Sequence, residues 1–482
     1  MNRRGAMQDV ELEDASSPVE RAVPSRPRAR RRWWWAGGVA VVTVAALVGT
    51  QAVIDARQRA AVARFASVPG VVTPVGSGVG VLWTPDAAVT SLVLEGVQVG
   101  GAFVGLSVAD DGSQAVLAVD ARTGRTRWST QMFGPDGSAA QSFDRRVAGH
   151  CAPVPAATVT QVACLVSDDV QQIDREAGRA VVPSTSTRVV VLDAADGRIV
   201  ADRPADGATA LAVLPGLAVV HVPGDDVTGR DLVTGATVWH YTPPGVGRDL
   251  SQAAFSSSVR LFTAGDLVGV AMAGWSVALL SPTGEVVRAP HPADASYSVD
   301  PLTGTLALLT TTGSGRISST LVRTGRDDVA LPGGRLGIAV DDGSVPGLVL
   351  TSDASLRGWD DRTGALRWTS DQVATSDALV LRGKVYISTT AGTVALDGRT
   401  GEIVWRTTVT PGHVPGSLAT DGTHLLLADQ PIAGDDASEL DAYGLDDGRV
   451  AWRAPLPAGV RSSTSVGRVL LGLTSDGVVV LG

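Results

Sequence analysis

Residues 396–405 read LDGRTGEIVW, and copies of this phrase organise the rest of the chain. The form is L-D-x-x-T-G-x-x-x-W, with Gly four residues after Asp and Trp four after Gly. Residues 120–128 (DARTGRTRW), 231–239 (DLVTGATVW) and 360–368 (DDRTGALRW) keep that spacing intact. Residues 193–197 (DAADG) keep the front half, with Ala201 where the Trp would fall, and 444–448 (GLDDG) lose the Asp but keep Trp452. Weaker echoes lie around Gly284 (SPTGEVV) and Gly325 (LVRTGRD).

Each copy has the chemistry of a tight reversal between two strands. An apolar run precedes it, as in 189–192 (VVVL), 393–396 (TVAL) and 115–119 (AVLAV). Short runs of this kind, bounded by turn residues, read as buried strands. The Asp carboxylate caps backbone N–H groups, and Gly takes the positive-φ position that the reversal demands. An outer strand follows, whose Trp buries a large apolar area while its N–H stays near an acceptor. The turn glycines fall at 124, 197, 235, 284, 325, 364, 401 and 448. Most intervals are about 35–50 residues, the length of one four-stranded propeller blade. A blade has two apolar faces and cannot bury both alone, so neighbours stack and the ring closes.

With five Trp in one register, the phrase resembles the repeat of PQQ-type β-propellers, found in quinoprotein dehydrogenases and in BamB, a subunit of the bacterial outer-membrane barrel assembly machinery. The resemblance runs from about residue 78 to the end. It implies an all-β, PQQ-like β-propeller of about eight four-stranded blades, with a count of nine left open. Trp128, Trp239, Trp368, Trp405 and Trp452 take the position where that family docks one blade onto the next. Residues 475–482 (SDGVVVLG) give a turn and a strand but no following Trp, whereas 80–83 (GVLW) form an outer strand without a blade. The two fragments complement each other, so the strand carrying Trp83 completes the last blade, docks like its siblings and protects the edges.

The interval from Gly124 to Gly197 is 73 residues, too long for a blade. The excess holds 133–138 (FGPDGS) and 171–180 (QQIDREAGRA), read as loops inserted in the second blade; long insertions in compact domains are commonly functional. Trp275 and Trp359 fall outside the docking register and read as core packing rather than a rim surface.

The chain has 482 residues, 44% hydrophobic and 18% charged, enough to bury a core, and a net charge of −9 that argues against a nucleic-acid surface. Lys384 is the sole lysine among 40 basic residues, an Arg-rich usage that points to a GC-rich bacterial genome. Residues 1–32 lack apolar period and read as a disordered cytoplasmic tail. Residues 33–54 run without a charge, long enough to span a ~30 Å hydrocarbon core as a helix. Arg21, Arg26, Arg28, Arg30, Arg31 and Arg32 precede the span and fewer Arg follow it. The positive-inside rule then places the N-terminus in the cytoplasm and the propeller outside the cell membrane. A cleaved signal peptide is the competing reading, disfavoured by an apolar stretch longer than the usual ~7–15 residues. No Cys lies near the span, a departure from the lipid anchor of BamB. Residues 55–77 read as a juxtamembrane stalk and linker, and 78–482 as the propeller.

Cys151 and Cys164 are the only cysteines, thirteen residues apart on what read as adjacent strands. Outside the cytoplasm that arrangement favours a disulfide. Quinoprotein dehydrogenases hold PQQ against a disulfide of adjacent cysteines, beside a Ca²⁺ bound by acidic and amide side chains; no matching set is found here. His150, His221, His240, His291, His413 and His424 are scattered, without metal-ligand spacing. No nucleophile elbow, phosphate loop or dinucleotide motif occurs. No catalytic, cofactor-binding or metal-ligating residue is therefore assigned, and no cofactor is expected. The expected role is a non-catalytic platform for an envelope protein or polymer; the alternative is a PQQ- or metal-dependent oxidoreductase.

Overall fold

The structure is a computed structural model that describes residue 65 and residues 67–482, apart from 136–144, 148–149, 157, 169, 175–177, 182–183, 223–225, 245–258, 273–275, 292–293, 301, 312–314, 324 and 433–437. The N-terminal tail, the 33–54 span, most of the stalk and Trp275 lie outside the described residues. Among the described residues no helix is long and apolar enough to cross a membrane.

The described residues build a β-propeller of nine blades. In ring order these are blade 1 (97–133), blade 2 (151–204), blade 3 (210–241), blade 4 (260–288), blade 5 (294–332), blade 6 (334–370), blade 7 (378–406), blade 8 (419–455) and blade 9 (462–481 with Val81–Trp83). Each is an antiparallel four-stranded meander with its first strand innermost, except that blade 7 carries a fifth, parallel strand inside its first. The count settles at nine because both degenerate echoes, around Gly284 and Gly325, close full four-stranded blades.

The burial pattern explains why these segments are strands. Leu217–His221 and Leu267–Ala271 are second strands buried at every residue, because both their faces meet a neighbouring blade. Outer strands alternate: in Thr237–Tyr241 only Trp239 is buried. Nine hydrophobic clusters result, one at each junction between blades.

The ring closes through Val81–Trp83, which pairs with Val478–Leu481 in the register Val81↔Leu481 and Trp83↔Val480. Gly80 and Gly482 exchange backbone hydrogen bonds of 3.0 and 3.1 Å beside it. A second stitch joins blades 6 and 7. After Gly334–Leu336, the inner strand of blade 6, Ile338–Asp341 crosses over and pairs parallel with Ala378–Leu381 of blade 7.

The stretch read as stalk and flexible linker needs correction where it is described. Phe65, Val71, Val72 and Val75 are buried against blades 7, 8 and 9. Val72 N–H donates to Thr420 O at 2.8 Å and Thr73 N–H to Arg468 O at 2.9 Å. These apolar side chains gain more from the inter-blade cores than from water, so the segment is a strap, with 67, 69, 73, 74 and 76–78 left exposed between and after the buried positions. The nine-residue helix Ala87–Glu95 was also not expected. Asp86 caps it, accepting Val89 N–H at 2.9 Å, and Leu92 and Val93 wedge between blades 9 and 1. With two buried residues it is too short to show a helical period.

Candidate interaction site

The repeat phrase is used up in building the ring. Asp120 Oδ1 accepts the N–H groups of Arg122 and Thr123 and the Thr123 hydroxyl, at 3.1, 2.9 and 2.9 Å. Asp231, Asp360 and Asp397 cap their turns in the same way. The carboxyl of Asp120 is held down at about 2, first by Arg127 at 2.7 Å and then by the turn's own donors against a small burial cost. Arg367 depresses Asp360 likewise.

Each turn glycine has positive φ and no side chain, so the preceding blade can lay an indole on it. Trp83 covers Gly124, Trp128 covers Gly197, Trp239 covers Gly284, Trp368 covers Gly401 and Trp405 covers Gly448; a Cβ on any of these glycines would lie 2.4–2.6 Å from the ring. Each indole N–H donates to a carbonyl of the same turn: Ala121, Ala194, Pro282, Gly398 and Leu445, at 2.9–3.2 Å. Trp452 shares the register but is half-buried and meets no turn glycine, because blade 9 lacks the T-G turn; it packs on the cluster of blades 8 and 9, edge-on to His424. Where Ala201 replaces Trp, Arg203 lies over Gly235, and Val329 covers Gly364. Trp359 fills the adjoining core, its N–H on Thr351 Oγ1 at 2.9 Å.

Among the described residues two additions stand outside the blades: a short ribbon of His413–Val414 with Gln430–Pro431 at blade 8, and a larger one on blade 2. Its long interval contains a second, three-stranded sheet of Arg145–Val147, Val170–Asp174 and Gly178–Val181, with Val170–Asp174 in the middle. One strand precedes the inner strand Cys151–Pro153, and two are inserted between Gln161–Ser167 and Thr187–Asp193. The pairings Cys151↔Cys164 and Thr187↔Ser167 put all three departures at one end of the blade. The turn 194–197 lies at the other end, beside Asp193↔Gln161. The accessory sheet therefore leaves from the face opposite the D-x-x-T-G turns.

Its base is rigid. Cys151 and Cys164 are joined in a disulfide between the first two strands of the blade. At the neck, Asp168 Oδ1 accepts Thr185 N–H, Ser186 N–H and the Ser184 hydroxyl at 2.9, 3.0 and 3.0 Å, and Oδ2 accepts the Thr185 hydroxyl. Burial raises the Asp168 carboxyl, but these donors outweigh it and hold it below the usual range. Ser184 continues the network to Ser167 and Thr187 at 3.0 and 2.9 Å. Arg188 binds Asp202 at 2.6 Å and Met132 O at 2.8 Å, with its guanidinium over the Phe133 ring, tying blade 2 to blade 1. The sequence offered no sign of this neck beyond a run of hydroxyl residues, 184–187 (STST), sixteen residues past an Asp.

A cavity of about 320 Å³ lies towards the ring centre, lined by Gly70 of the strap, Arg335, Ala339, Asp377 and Ser465. Arg335 Nη2 and Asp300 Oδ2 form a buried ion pair at 2.7 Å, and Arg335 also donates to Thr305 O. Burial lowers the Arg335 pKa and Asp300 opposes that shift. Among the described residues no group of three or more His, Cys, Asp or Glu is placed to hold a metal ion. The six histidines do not converge. His424 pairs with Asp421 at 3.2 Å, and His150 Nε2 lies 2.7 Å from Leu211 O.

The family model described as outer membrane protein assembly factor BamB matches residues 112–346 and 297–480. No curated protein sequence matches the chain. Similar solved structures include BamB from Moraxella catarrhalis, at 16% identity, covering 80% of this chain and 92% of that one with a TM-score of 0.36. The dihydro-heme d1 dehydrogenase NirN is also 16% identical, covering 76% of this chain and 75% of that one with a TM-score of 0.37. A computationally designed protein, Ika8, is 13% identical over 86% of this chain and 99% of that one, with a TM-score of 0.34. At these scores the structural likenesses carry no argument about function. The two family matches together cover nearly the whole ring, and with the turn-and-Trp repeat they show that this chain belongs to the BamB family of PQQ-like β-propellers.

Proposed function

We propose that this protein is a non-catalytic interaction platform of the bacterial cell envelope, and that it meets its partner through the accessory sheet of blade 2. The observation that carries this reading is the sheet itself. Two separate insertions in one blade build it, on one face, above a disulfide and a polar clamp. Side chains of the repeat are spent on docking blades, so contacts must come from such additions. Gly178–Val181 is an end strand of that sheet, and among the described residues nothing pairs with its outer edge. Such an edge offers backbone donors and acceptors to a partner strand. The envelope address rests on the charge-free stretch 33–54 and the Arg asymmetry about it.

The test is site-specific. A photo-crosslinking residue at position 179 should capture one envelope protein or polymer in intact cells, while the same probe at Arg122, on the turn face, should not. Equal capture at both positions, or at neither, overturns the assignment. Protease added to intact cells should degrade the propeller and spare an N-terminal tag; a protected propeller would overturn the envelope address. Saturable PQQ binding with Ca²⁺ and substrate-dependent dye reduction would instead establish the oxidoreductase.

A further inference from the structure

Seven of the eight turn glycines are covered by a side chain of the preceding blade, but Gly325 of blade 5 has nothing among the described residues within 4 Å of where its Cβ would stand. Its backbone is no different, with φ +69° against +66° to +82° for the others. Gly325 is exposed, whereas the other seven are buried or half-buried. Four residues after Gly284, where the docking Trp belongs, stands Arg288. Its Nη1 turns back to Val277 O of its own blade at 3.3 Å. The junction is closed on the inner side by Phe262 stacked on Tyr297, with ring centres 4.1 Å apart. The opening is therefore confined to the outer rim, a slot of about 420 Å³ walled by Val287, Arg288, Val322, Arg323, Arg326, Asp327 and Asp328. That volume falls within the range of small ligand pockets.

We propose that this slot receives an aromatic side chain, above all the indole of a Trp, presented by a segment of a partner protein. The choice of a protein partner rests on the platform reading above. Five sibling junctions show what fits a turn of this kind: an indole lying on the glycine, its N–H donated to a carbonyl two or three residues earlier. In this turn Val322 O stands three residues before Gly325. Val287, nearly half exposed, and Val322 supply the apolar wall. The charged lining is mixed, with Asp327 and Asp328 beside Arg288, Arg323 and Arg326. Arg323 is engaged with Asp327 O and Arg362 O. The side chains of Arg326 and Arg362 have no hydrogen bond or ion pair among the described residues. Arg326 lines the slot, and both line an adjoining cleft of about 470 Å³ that shares the Arg323 wall. A guanidinium beside a ring adds a cation–π attraction.

The probe is the blocked peptide Gly-Trp-Gly, titrated against the purified chain and followed by NMR at the Gly325 amide and the Val287 methyl groups. Saturable shifts at both are expected, and replacing the peptide's Trp by Ala should weaken binding at least about tenfold, the usual loss for a buried Trp anchor. R288W restores the residue the register calls for. It should fill the slot from within, raise Tm and abolish peptide binding. Absence of saturable shifts at Gly325, or binding undiminished in R288W, overturns the slot. If crosslinking at position 179 persists in that event, the slot alone has failed; if it is absent in wild type, the platform reading has failed.

Discussion

Trp405 lies over Gly448 in the repeat's docking position, and Trp359 lies off that register with Leu321, Leu331 and Val349; both are 8% exposed. Burial, not register, sets what each side chain contributes. Trp405→Ala should lower stability by about 3–5 kcal/mol, the range for emptying a large aromatic site. Trp359→Ala should cost a similar amount, because it also leaves Thr351 Oγ1 without its indole donor. Urea unfolding midpoints of the two variants check this, and a loss at Trp359 much smaller than at Trp405 would refute it. The Arg335–Asp300 pair makes a contrasting case. Asp300→Leu strands a guanidinium that is 4% exposed, a loss of about 3–5 kcal/mol. Combining it with Arg335→Met should recover most of that loss, since no charge then remains in the interior. A double variant as unstable as Asp300→Leu alone would mean that packing, not charge, dominates the site.

Two elements, the closing strand and the accessory sheet, depend on residues distant in sequence. Deleting 78–83 removes the outer strand of blade 9, the Gly80–Gly482 bonds and the indole on Gly124. Hydrogen exchange at Val478–Leu481 should then speed up, because protection there depends on a paired edge; unchanged exchange would mean that blade 9 is stable with three strands. At the neck of the accessory sheet, Asp168→Ala removes the acceptor of four donors. Amides of Val170–Asp174 and Gly178–Val181 should exchange faster while Tm changes little, since the neck lies outside the inter-blade cores. Peptide mapping of unreduced protein should find Cys151 and Cys164 linked, as the structure places them. The sequence showed the turns and the Trp register plainly, because both are local spacings that repeat. It did not show what covers each glycine. Gly284 and Gly325 sit in similar degenerate turns, yet Trp239 covers one and the other is open. The Asp168 neck was illegible for the same reason: its partners lie sixteen to eighteen residues away. The strap at 67–75 read as linker because four apolar residues among Pro, Gly and Thr have no period, and only the ring gives them a surface to cover.

At the scale of the whole ring, the repeated aspartates make stability a function of acidity. Asp120, Asp231, Asp360 and Asp397 all have carboxyls held below their usual range: Asp120 and Asp360 chiefly by Arg127 and Arg367, Asp231 by Thr234 N–H and Asp397 by Arg399 N–H. A carboxyl that is more acidic folded than unfolded contributes stability that is fully present above its unfolded value, near 3.8. That contribution is lost as the pH falls through the folded value, which for Asp120 is about 2. Asp341 and Asp441 act in the opposite sense. Burial pushes both up, so their ionised forms oppose folding at neutral pH, and protonating them on mild acidification relieves that cost. The expected profile has two parts: a Tm that is level or slightly rising from neutrality towards pH about 5, then a fall below pH about 4 as the turn caps protonate. The caps sit at the blade junctions, those of Asp120 and Asp397 beneath Trp83 and Trp368 and those of Asp231 and Asp360 beneath Arg203 and Val329, so each protonation loosens a turn on which the preceding blade rests. Asp120→Asn should therefore be less stable than wild type at pH 7, with the gap narrowing as the pH falls through about 2, where the wild-type carboxyl itself becomes protonated. Calorimetry of both proteins across that range is the measurement. A constant gap at every pH would mean that the Asp120 charge, and its pair with Arg127, contributes nothing to the hold between blades 9 and 1.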